Sequence, residues 1–137
     1  MLLRSLAFAI CVLGLARPAF ACSCMAPNPV CHSFWNTGAV FVGEVESITD
    51  LPMVRTSPPA FFLNSRRVHL RVREQFSGAH TEEVDVFTGL GGGDCGYAFA
   101  VGTSYLVFAN ARSDKNLATG ICDRTKPLAE AAGASPA

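Results

Sequence analysis

Along "RRVHLRVREQF" (66–76), apolar and polar positions alternate with a period of two. Val68, Leu70 and Val72 face one way, and His69, Arg71 and Arg73 the other. The pattern predicts a β-strand with one face on a core and one in water. "AVFVGEVESI" (39–48) is β-branched and alternates after Val42, setting Val45 and Ser47 opposite Glu44 and Glu46. Shorter strands are expected at "EEVDVFTG" (82–89), "SYLVFAN" (104–110) and "LATGIC" (117–122). Turn-forming runs separate them: "SGAH", "GLGGGDCG" and "NARSDKN". Five short strands at this spacing predict an all-β fold, a small closed or partly open barrel, because closure hides the edges of so few strands.

Helix is scarce in this pattern. Asn28 followed by Pro29 reads as an N-cap and first helical position, with Gly38 as the stop, giving one short helix before the first strand. "PLAEAAG" (127–133) is expected to add a final turn or two. The segment "DLPMVRTSPPAFF" (50–62) carries three prolines and reads as a loop between the first two strands. The domain is expected to span 22–130, with 131–137 a disordered tail.

The first residues belong to a different class of segment. Arg4 supplies a positive start, "LAFAICVLGLA" (6–16) an apolar stretch, and Ala19-Phe20-Ala21 an A-x-A cleavage site, the pattern of a secretory signal peptide over 1–21. The apolar run is broken by Arg17 and Pro18 and falls short of the ~20 residues that span a bilayer, so no transmembrane segment is expected. A secreted, extracellular or periplasmic protein follows. Lipoprotein anchoring at Cys22 is the minor alternative, disfavoured by the bulky Phe20 before that position and by Ala19.

Cleavage after Ala21 leaves 116 of the 137 residues, enough for one domain with one core. Nine basic residues then face eleven acidic ones, a formal charge of −2 that favours neither nucleic acid nor an anionic membrane. Five cysteines remain: Cys22, Cys24, Cys31, Cys95 and Cys122. In an oxidising compartment they read first as disulfides with one thiol left over, and four cysteines can pair in three ways.

Candidate chemistry is sparse. "GLGGGDCG" offers consecutive N–H groups to an anion, yet no Gly-Lys-Ser/Thr follows and no helix starts there, so a close passage of two backbones explains the glycines better. Cys31-His32 is a weak candidate for a thiol nucleophile with its base, since neighbouring residues on a helix diverge. Cys22, Cys24 and Cys31 together could clasp zinc or copper. His69 and His80 show no ligand spacing, and Glu44, Glu46 and Asp85 read as solvated strand faces. No catalytic residue emerges, and the chain is not expected to be an enzyme.

Three segments in order carry a resemblance to a known family. "CSCMAPNP" (22–29), followed by "SFWNTGAVF" (33–41), resembles the opening of the inhibitory N-terminal domain of the tissue inhibitors of metalloproteinases, a netrin-like module. "DCGY" (94–97) is similar to the family's Cys-Gly-Tyr. "YLVFA" (105–109) leading to "TGICDRTKPL" (119–128) is similar to its last strand, cysteine and proline. The resemblance implies a five-stranded OB-fold-like barrel stapled by two disulfides, Cys22 with Cys95 and Cys24 with Cys122. It also implies a function: the α-amino nitrogen and carbonyl oxygen of Cys22 chelate the catalytic zinc of a target metalloprotease. Ser23 then points to the specificity pocket, Met25, Ala26 and Pro27 line the cleft, and Gly93 and Asp94 touch its other side. The partners implied are zinc metalloproteases, with no cofactor of the protein's own, and a monomer is expected. Trp35 stands near the place of a cysteine of the family's third bridge, Cys31 has no evident partner, and the family's second domain is missing. These departures keep a second expectation open, a secreted netrin-like binding or adhesion module with no inhibitory role.

Overall fold

The computed structural model describes residues 22–26, 28–55, 62–78, 80–91, 93–112 and 116–133. The expected signal peptide and Pro27 lie outside the described residues, as do residues 134–137. The chain runs α1 (Val30–Asn36), β1 (Ala39–Arg55), β2 (Phe62–Ser77), β3 (Glu83–Thr88), β4 (Ser104–Ala111), β5 (Leu117–Ala118), β6 (Lys126–Pro127) and α2 (Leu128–Gly133). The five strands β1-β2-β3-β5-β4 close into a ring because β4 also pairs with β1, and β6 adds to β4 outside it. All pairings are antiparallel except β3 with β5. The fold is the small β-barrel that the strand pattern predicts, and two disulfides staple it.

The ring closes over an apolar interior. Phe41, Val45, Val68, Leu70, Val86, Phe99, Tyr105 and Val107 form its centre, each less than a tenth exposed. Burying one such side chain stabilises the fold by about 1.5–3 kcal/mol. Val68 and Leu70 are fully buried and His69, Arg71 and Arg73 lie on the outer face, as the period of two requires. Tyr97, Phe99 and Tyr105 pack with ring centroids 4.8–5.9 Å apart, and the Tyr105 hydroxyl accepts the Ala100 N–H at 3.0 Å. Buried Thr119 and Thr125 lie with their hydroxyls 2.8 Å apart and bind the backbone of Phe108, so no buried side-chain polar atom among the described residues lacks a partner.

Five expectations need correction. Residues 50–55 and 62 are strand, not loop: β1 and β2 form one long hairpin, with Asp50 opposite Arg66 and Arg55 opposite Phe62. Pro52 is tolerated because the register shifts between Leu51 and Val54, so its missing N–H falls at an irregularity of the ladder. In the same strand Glu46 is the extra residue of a bulge between Val45 and Ser47, which breaks the expected alternation and leaves Ser47 exposed. The N-cap of α1 is Pro29, not Asn28, and the helix ends where Thr37 and Asn36 side chains donate to the Ser33 and His32 carbonyls. The strand expected over 117–122 stops at Ala118 because the chain then turns toward Cys122, and the closing turn expected within 127–133 carries helix through residues 131–133, which the expected tail includes.

Candidate functional site

Both disulfides converge on the segment that begins the described chain. Cys22 is bonded to Cys95 and Cys24 to Cys122, which is the pairing the resemblance implies and excludes a metal site made of Cys22, Cys24 and Cys31. Cys31 is a free, exposed thiol. Between the anchored cysteines Ser23 is exposed, and beyond them Met25 is 92% exposed. Held at two points, this short stretch presents Ser23, Met25 and Ala26 to solvent, while Cys22 is half-buried.

The 89–96 loop beneath it is built by close backbone contact. A Cβ on Gly96 would sit 2.2 Å from the Gly89 carbonyl oxygen, and one on Gly120 would sit 2.7 Å from the Cys95 carbonyl oxygen. Only glycine permits that approach. Gly96 and Gly120 bridge, and the Ile121 N–H donates to the Cys95 carbonyl at 3.0 Å. The two disulfide-bearing segments are thereby laid side by side; close backbone approach accounts for Gly96 and Gly120, whereas Gly91 and Gly93 meet no neighbour and Gly91 is instead set by its positive φ of 91°. Cys95 itself has φ 58°, an uncommon conformation for a residue with a side chain.

Asp94 organises this loop. Its carboxylate accepts the N–H groups of Leu90 at 2.7 Å, Gly91 at 2.8 Å and Gly96 at 3.0 Å. Burial pushes the Asp94 carboxyl up, but these N–H donors outweigh it and hold the group below its ordinary value of 3.8. A depressed carboxylate contributes stability that is present above its unfolded pKa and lost as pH falls through the folded one. Asp94→Asn should therefore lower stability by about 1 kcal/mol at neutral pH, an exposed group being well screened. The gap between the two proteins in urea unfolding should shrink as pH is lowered through the acid range. A gap that stays constant down to strongly acid pH would count against this role. Gly93 sits at the loop's outer edge, its carbonyl oxygen 3.6 Å from the Cys22 sulfur.

Arg124 ties the other side together: its Nε donates to Ser33 Oγ at 3.1 Å, and its Nη2 donates to the Asn28 carbonyl. A groove of about 470 Å³ runs between the segment and α1, lined by Ser23, Met25, Ala26, His32 and Arg124 among others. The structure thus brings together Cys22, Ser23, Cys24, Met25, Ala26, Gly93 and Asp94, while Pro27 lies outside the described residues. Trp35 is 80% exposed on α1, with Phe34 edge-on at 5.2 Å.

A second cluster escaped the sequence. His69 lies on β2 with its Nδ1 2.7 Å from Asp85 Oδ1 on β3, and its Nε2 faces Glu83 at 3.5 Å and Glu46 at 3.8 Å. The hydrogen bond to Asp85 raises the imidazole pKa most, burial opposes it, and the nearby charges of Asp85, Glu83 and Glu46 add to the rise. Only the strand register, unreadable from local pattern, places these residues together.

Searches against models of protein families and against curated proteins find no match to this chain.

Proposed function

We propose that the protein inhibits zinc metalloendopeptidases by presenting the α-amino nitrogen and carbonyl oxygen of Cys22 to the target's catalytic zinc. The observation that carries this reading is the double anchoring of the segment, by Cys22–Cys95 and Cys24–Cys122, at an exposed rim of the barrel. Zinc takes N and O donors at about 2.0–2.2 Å, and a catalytic zinc keeps one position open for water. The amine and carbonyl of one residue close a five-membered ring on that ion and displace the attacking water. A segment already fixed by covalent bonds loses little further freedom on binding. The exposed side chains of Ser23 and Met25 enter the cleft, and Gly93 meets its opposite wall. Asp94 serves from beneath, holding the loop in place. The domain acts as a plug and performs no chemistry, and the resemblance of its three ordered segments to the metalloproteinase inhibitors supports the same role.

Secretion and processing are part of this proposal. The ligand exists only where the chain starts at Cys22, so the N-terminus of the mature protein, read by mass spectrometry, must follow Ala21. The two disulfides are compatible with an extracellular location, and among the described residues no helix is long and apolar enough to cross a membrane.

Inhibition should depend on pH with a definite sign. An α-amino group has an ordinary pKa of about 7.7–8.0 and must be unprotonated to ligate zinc. The inhibition constant should rise about tenfold per pH unit below that range, after correction for the protease's own profile. A flat dependence between pH 6 and 8 would argue for a binding mode without the amine. Such a result would favour a netrin-like binding module over an inhibitor.

A further inference from the structure

We propose that His69, Glu46 and Glu83 form a surface site for a borderline divalent cation of the Zn²⁺ class, with Asp85 as the residue that positions the imidazole. The site is separate from the N-terminal segment and does not depend on the inhibitory reading.

The imidazole distinguishes this cluster from an acidic patch. A carboxylate only accepts hydrogen bonds, so the 2.7 Å contact between His69 Nδ1 and Asp85 Oδ1 places a proton on Nδ1. The remaining ring nitrogen, Nε2, is the one that faces Glu46 and Glu83. A histidine whose far nitrogen is held by a carboxylate is the arrangement found behind metal-bound imidazoles, where it fixes ring orientation and tautomer.

The spacing suits a metal. Ligands about 2.0–2.1 Å from a tetrahedral zinc lie roughly 3.3–3.4 Å from one another. Nε2 of His69 is 3.5 Å from Glu83 Oε2 and 3.8 Å from Glu46 Oε2, and the three donor atoms all lie within 4.8 Å of one another. Small side-chain rotations close the difference. Arg71 holds the other oxygen of Glu46, leaving Oε2 directed at the imidazole.

The backbone also contributes. Glu46 is the bulged residue of β1, and the irregularity brings its carboxylate onto the face where His69 of β2 stands. On β3, Asp85 lies directly opposite His69, and Glu83 lies two residues along on the same face. Three adjacent strands each deliver one ligand, a more rigid support than a loop supplies. One nitrogen and two oxygens leave room for water, as expected of a borderline cation at a partly exposed site.

Titration of the purified full-length secreted protein with Co²⁺, followed by visible absorption, and with Zn²⁺, followed by calorimetry, tests the site. One equivalent of either ion is expected. It should be lost in His69→Gln and in Glu83→Gln, and weakened about 10–100-fold in Asp85→Asn. Cys31→Ser and a protein with one alanine before Cys22 should bind unchanged, which separates this site from the free thiol and from the terminal amine. The variants lie on an exposed strand face, and circular dichroism checks their fold. Absence of binding up to millimolar metal, an equivalent that survives His69→Gln, or its loss in Cys31→Ser would each overturn the proposal.

Discussion

Placing one alanine ahead of Cys22 should weaken inhibition of a susceptible zinc endopeptidase by about a thousandfold while leaving the fold unchanged. The physical reason lies in one nitrogen. In the extended protein that atom becomes an amide, its lone pair is delocalised into the peptide bond, and it no longer ligates zinc. The new amine sits a residue further out, about 3.8 Å away by the spacing of consecutive Cα atoms, where no disulfide fixes it. Loss of a central contact of this kind costs about 4 kcal/mol, the equivalent of three orders of magnitude in affinity. The addition precedes a segment whose Ser23–Ala26 are exposed, so the thermal unfolding midpoint should not move. The comparison is an inhibition titration of the two proteins against the same protease. Equal potency would remove the terminal amine from the mechanism.

Replacing Cys24 and Cys122 together by serine should produce the largest loss of stability. The bridge joins residues 98 apart in the chain, so its removal releases a long loop in the unfolded state. The chain-entropy argument gives up to about 4–5 kcal/mol for such a loop, and measured removals from small secreted domains typically fall between about 2 and 5. Whole domains are stable by only about 5–15 kcal/mol, so the urea midpoint should fall by a large fraction. The same change frees the outer end of the Cys22–Cys24 segment, and inhibition should weaken even where the barrel remains folded. An unaltered midpoint would show that the barrel's core, and not this bridge, holds the end of the chain in place.

Much of the barrel was legible because several strands keep one face wet. Val68, Leu70 and Val72 against His69, Arg71 and Arg73 mark β2 without outside help, and of the glycine run Gly96 is the one that marks a close backbone approach. What stayed hidden depended on pairing between distant segments. Proline-rich 50–62 looked like a loop because Pro52 breaks a ladder locally, whereas the long partner strand absorbs the break as a register shift. The bulge at Glu46 has no local signature, and without it nothing indicates that Glu46 meets His69. The pairing of cysteines came from family resemblance alone, and the N-cap shifted by one residue because the Asn28 carbonyl is taken by Arg124.

The crossing of Cys95 beside Gly120, with Cys24 joined to Cys122, brings the first and last parts of the domain to one place. A nascent chain emerging from its N-terminus therefore lacks the second anchor of the Cys22–Cys24 segment until Cys122 has been made. On the proposed inhibitory reading, the edge is complete only after Cys122 has been synthesised and both bridges have formed, so competence would follow the last oxidation.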